Sequence, residues 1–245
     1  MKFFSRRGRA SRGEVFYHGT SPAAVSSILR SGLRGSRKPD TFSLRGALSI
    51  WELAARTGEA PWVDAFGVEN EEWYNNFMEA AGVPMRGYVY LARDPGDVMT
   101  RGEDSAGRAY MLKVVATGPV LPDEDWLGRE LLEVAAGAGS EQVIQCMFQA
   151  LPDRVKRDIR AVLREHHTDW EWCALVAKAA IPALKRTPRG KRMLRVAGKL
   201  APTVAHQGSP RVVEVLRRQE YETQRGQWLD VGYRWEPVPA GETPR

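Results

Sequence analysis

The sequence predicts an α+β fold, with a few short strands at both ends of the chain and a long helical block between them. Three observations carry this. Short apolar runs rich in β-branched and aromatic residues stand at "EVFYH", "GYVYLA" and "RAYMLKVVA", and again at "PRVVEVL" and "QWLDVGYRW". From Ser140 to about Leu200 apolar residues recur at helical spacing almost throughout. Strands and helices do not alternate regularly, which argues against a doubly wound parallel sheet.

The elements follow in order. Residues 1–13 read as a mobile basic arm. "EVFYH" is a strand that runs into a Gly-Thr-Ser turn. Ser21-Pro22 opens a helix, since serine caps helix starts and proline suits the first turn. Val25, Ile28 and Leu29 form its apolar face, and Gly32 stands where a left-handed residue ends it. "RGSRKPDTFS" is loop. Two helical patterns fill about residues 46–82, around "GALSIWELAART" and "NEEWYNNFMEAAG". After the strand Gly87–Ala92, "RDPGDV" turns into a short helix. Pro119 and "LPDED" stop the next strand, and Trp126–Ala138 is helical. "SEQVIQCMFQAL", "PDRVKRDIRAVLREH" and "DWEWCALVAKAAIPALK" are three further helices, and "RTPRGKRM" is a basic break after them. The tail, 237–245, is loop. One domain over 14–236 is expected, with helical insertions at about 46–82 and 140–200.

Bulk numbers narrow the class. The chain has 245 residues, 43% hydrophobic and 27% charged, as globular proteins do. A net charge of +6 and a sequence pI near 9.5 suit a polyanionic partner. Cys146 and Cys173 form no C-x-x-C pair, so reduced, buried thiols and a cytoplasmic location are expected. The basic start lacks the apolar stretch of a signal peptide. No apolar run reaches the ~18 residues of a membrane span. The longest, Cys173 to Leu184, is interrupted by Lys178. No membrane partner is expected.

Three pieces taken together, "VFYHGTS…ILRSGL", "GYVYLARDPGDV" and "VAHQGSPRVVEV", resemble the ADP-ribosyltransferase superfamily, in its histidine–tyrosine branch. The likeness covers about half the chain and leaves out residues 140–200. It implies a split β-sheet core that binds NAD across a cleft, releases nicotinamide and transfers a single ADP-ribose to a protein or nucleic-acid acceptor. Breaking the nicotinamide–ribose bond creates an oxocarbenium-like centre. The site must therefore hold the dinucleotide bent and place negative or dipolar density beside that ribose.

Carried over by the resemblance, His18 bonds a ribose hydroxyl. The backbone of Gly19 holds the nicotinamide carboxamide, where a side chain would block the approach. Thr20 adds a hydroxyl, and Ser21 completes the cofactor-binding turn. Tyr90 stacks on the nicotinamide face, a contact of roughly 1–3 kcal/mol. Tyr88 is assigned to the opposite face of the strand, in the core. At the third position, where the family carries a glutamate, this chain has His206 and Gln207, and Glu214 lies farther along. Gln207 is placed to bond ribose, and His206 to bond it or act as a base. The missing glutamate speaks against chain elongation. Small enzymes of this kind are often toxins or phage effectors.

Other clusters compete for notice. In "LPDEDW", Asp123 and Asp125 read as helix-start carboxylates before they read as acid/base groups. His166 and His167 point about 100° apart on a helix and make a poor joint metal site, and no metal is expected. "SRRGRASR", "RGSRKP", "KRTPRGKR" and "RRQ", with Trp170, Trp172 and Trp228, suit either a nucleic acid or the dinucleotide's pyrophosphate. Two alternatives stand beside the transferase: an RNA 2′-phosphotransferase-like NAD-consuming enzyme, and a degenerate module that binds nucleic acid or ADP-ribose.

Overall fold

The computed structural model describes residues 13–35, 43–57, 85–98, 110–164, 170–222 and 228–238. Within them the chain is α+β. Its strands are β1 (Glu14–Thr20), β2 (Tyr88–Ala92), β3 (Tyr110–Ala116), β4 (Val120–Pro122), β5 (Thr203–Gln207), β6 (Arg211–Glu222) and β7 (Trp228–Pro237). Its helices are α1 (Pro22–Ser31), α2 (Leu44–Thr57), α3 (Glu124–Ala135), α4 (Gln142–Ala150), α5 (Asp153–Arg164), α6 (Trp170–Lys185) and α7 (Pro188–Leu200), with a short 3-10 turn at Pro95–Val98. The basic arm to residue 12, "NEEWYNNFMEAAG", His166, His167 and the last seven residues fall outside the described segments.

Two compact units divide these elements. The first comprises Met1–Leu33, Leu91–Pro119 and Ser209–Arg245; the second comprises Arg34–Tyr90 and Val120–Gly208. In the first, the strand order is β2-β1-β3-β6-β7. β1 and β3 pair antiparallel along their whole length, from Glu14↔Ala116 to Thr20↔Tyr110. β3 pairs with β6 through Lys113↔Glu214 and Val114↔Val212, with a bulge between. Directly paired residues share a face, and alternate residues along a strand change face. One face therefore gathers Phe16, Leu112, Val114 and Val215, all buried, and His18 stands among them. The other gathers Tyr17, Ala92, Met111 and Trp235, with the Tyr17 and Trp235 rings 5.8 Å apart. Lys113 lies on that second face, 3.0 Å from a Glu214 carboxylate oxygen and 5.8 Å from the Trp235 ring centre.

The second unit packs helices over the strands β4-β5-β2. Its core contains Leu127, Leu131, Ile144, Met147, Trp172, Leu175 and Ile181, each almost fully buried. Burying each such side chain contributes about 1.5–3 kcal/mol. Trp172 meets Trp51 of α2 edge-on at 6.2 Å. α3 and α6 touch backbone to backbone at Gly128, where an added Cβ would lie 1.9 Å from the Cys173 carbonyl oxygen. Cys173 is buried and Cys146 half-buried, and neither forms a disulfide. Among the described residues no helix is long and apolar enough to cross a membrane.

Four expectations are corrected. β1 runs on through Gly19 and Thr20, because both pair with β3, so the turn begins only at Ser21. "VLP" after Pro119 is a short strand, since Val120–Pro122 pairs with Val204–His206. "VAHQGSPRVVEV" is two strands, parted at Gly208, whose φ of 104° breaks the ladder. "RTPRGKRM" opens α7: the Thr187 hydroxyl accepts the Gly190 N–H at 3.0 Å, and Pro188 takes the first turn.

Candidate functional site

The end of β1 brings His18, Gly19 and Thr20 together in three consecutive residues, and Ser21 follows as the N-cap position of α1. Ser21 is extended (φ −76°, ψ 153°) and caps through its carbonyl, which accepts the Ala24 N–H at 3.0 Å; its hydroxyl makes no cap bond. Pro22 occupies the first turn, and Gly32 closes the helix at φ 83°. Thr20 is buried, whereas His18, Gly19 and Ser21 are half-exposed. The β1 edges differ. β3 pairs with all seven residues, but β2 meets β1 at one register pair among the described residues, Tyr17↔Ala92.

Tyr90 belongs to the second unit, as do His206 and Gln207. Tyr88 and Tyr90, two residues apart on one strand, share a face; the assignment of Tyr88 to the opposite one is corrected on that ground. Tyr88 packs against the helical core and accepts a 2.6 Å hydrogen bond from Lys185 Nζ. The Tyr90 hydroxyl accepts the Met85 N–H at 2.9 Å and donates to the Glu124 carboxylate. The same Met85 N–H reaches Glu124 Oε1 at 3.0 Å.

Glu124 is the residue that sequence reasoning missed. It is 3% exposed. Burial pushes its carboxyl above the usual range, while the bonds from Tyr90 and Met85 pull the other way and neighbouring Asp123 adds to the rise. Burial and the adjacent Glu124 also push the Tyr90 phenol far up, so it stays a neutral hydroxyl. A glutamate at the first turn of a helix reads from sequence as dipole compensation. Its partner lies 39 positions away at Met85, and no local pattern signals that contact. Asp123 behaves as expected: it is the N-cap of α3, accepts from the Asp125 N–H at 3.3 Å, and takes the Thr203 hydroxyl at 2.7 Å.

At the third position the two candidates part. His206 is 4% exposed and paired with Val120, whereas Gln207 is exposed. Glu214, in the first unit, is bound to Lys113. A scan of protein-family models gives no match to this chain, and no curated protein or solved structure matches it either.

Proposed function

We propose that the chain is an ADP-ribosyltransferase with a split-sheet core, which cleaves NAD and passes a single ADP-ribose to a macromolecular acceptor. The observation that carries this is the end of β1, where His18, Gly19 and Thr20 stand in succession, His18 and Gly19 half-exposed, and the chain runs straight into α1. Main-chain N–H and C=O groups are the chemistry a carboxamide needs, and half-exposed Gly19 is where a ligand comes close to them. Gly19 adds no side chain in the way. His18, half-exposed, supplies a ribose contact.

The remaining candidates, Tyr90, His206 and Gln207, belong to the second unit. Both polar capacities of the Tyr90 hydroxyl are engaged, so Tyr90 offers its ring and not its oxygen. Gln207 is the accessible member of the third-position pair, and His206 is buried. In the reaction the bond from ribose C1′ to the nicotinamide nitrogen breaks and its electron pair leaves with nicotinamide. An acceptor oxygen or nitrogen forms the new bond to C1′ and loses its proton to solvent. With no carboxylate assigned beside C1′, single transfer suits the site better than chain elongation.

The test is nicotinamide release from NAD in the presence of cell protein or RNA, with label transfer read in parallel. Wild type releases nicotinamide, and His18→Ala lowers the rate by on the order of a hundredfold through lost positioning. Release by His18→Ala at the wild-type rate, or none from wild type with either acceptor, removes the proposal. RNA binding without any turnover of NAD is the outcome that favours the binding module.

A further inference from the structure

Two adjoining cavities in the second unit, away from every residue of the proposed NAD site, carry an inference of their own. The larger, of about 640 Å³, is walled by the first turn of α2, one side of α5 and the later turns of α6, and its cations are Arg45, Arg154, Lys178 and Arg186. The smaller, of about 340 Å³, shares Arg45, Arg154 and Asp158 with it and adds Arg157 and Arg164. Among the described residues six cations therefore line the pair against two carboxylates, Asp158 and Glu52. Both carboxylates pair with Arg45, Asp158 at 3.7 Å from a largely covered position and Glu52 at 3.9 Å at solvent, where a pair contributes little. Among the described residues no carboxylate pairs with Arg154, Arg157, Arg164 or Arg186.

Like charges gathered into a concavity repel one another, and an anion relieves that cost. Five of the six are arginines, whose planar fork matches phosphate oxygens two at a time. Arg154, Arg157 and Arg164 lie three and seven residues apart along one side of α5. Helical rise spreads them over about 15 Å, longer than a single pyrophosphate. A repeating phosphate chain answers that spread. The apolar wall of Leu44, Ala179, Pro182 and Ala183 suits base or sugar faces better than an acidic peptide. We infer that this double cavity binds the backbone of single-stranded RNA.

The inference stands without the NAD chemistry and is tested with no NAD present. A short labelled single-stranded RNA is titrated by fluorescence anisotropy between about 50 and 200 mM salt. The probe variant combines Arg154→Gln, Arg157→Gln and Arg186→Gln, all at exposed positions. The control combines Arg129→Gln, Arg195→Gln and Lys199→Gln on exposed positions of α3 and α7. Matching thermal melts of the two triples establish that each is folded. Three lost phosphate contacts lower the salt slope by about 2. The cavity triple is expected to bind at least tenfold more weakly, with the control within twofold of wild type. Equal weakening by both triples, or no RNA binding by wild type at the lower salt, overturns the inference. So does wild-type preference for duplex RNA over single strand.

Discussion

Tyr90 and Glu124 show how much a single buried pair decides. Their hydrogen bond and the shared Met85 N–H fix the Tyr90 ring from its far end. Tyr90→Phe keeps the ring but leaves the Met85 N–H and the Glu124 carboxylate each short of one partner. A loss of about 1–3 kcal/mol in urea unfolding is expected. Glu124→Gln tests the titration. The folded-state pKa of Glu124 is raised, so the folded state binds the proton more tightly. Stability is then full below the usual carboxylate pKa and falls as pH rises through the folded value. Melting of wild type should therefore decline more steeply from mildly acidic to mildly basic pH than melting of Glu124→Gln. Parallel profiles would place the carboxylate in an environment that does not disfavour its charge. At this scale the sequence was partly legible. "SP" told where a helix would start, because proline suits the first helical turn whatever surrounds it, while the strand runs two residues farther than "EVFYH" indicates. Glu124 was illegible, because its burial depends on a contact with a residue 39 positions away.

Among the elements, the crossing of α3 and α6 has the least room. Gly128→Ala forces a methyl group into the Cys173 carbonyl, so the helices must separate. The expected cost is about 1–3 kcal/mol by chemical denaturation, although alanine is the better helix former. An unchanged midpoint would mean the two helices lie farther apart. Thr187→Ala removes the cap of α7 and should cost about 1 kcal/mol. The long helices α4, α5 and α6 were legible because their apolar period repeats over several turns. Two signals misled. Charge density in "RTPRGKRM" hid a Thr-Pro helix start. A proline at each end of "PVLP" hid a three-residue strand, β4, that exists through its pairing with β5. Strands that short have too few residues to show alternation, and tertiary pairing decides them.

For the molecule as a whole, composition and period were enough for the α+β class, because the count and placement of strong periodic segments set it. They were not enough for the division into two compact units, whose boundary falls inside β2 between Tyr90 and Leu91. A contact boundary within a strand has no compositional mark. The net charge of +6 likewise said nothing of where cations gather; among the described residues six of them line the double cavity. The central claim remains the offer of main chain at the end of β1. Amide chemical shifts recorded while NAD is titrated in measure it most directly. The account predicts that the Gly19 and Thr20 amides move first and saturate together, and that His18→Ala weakens the response. Saturation with NAD that leaves both amides unmoved would contradict it.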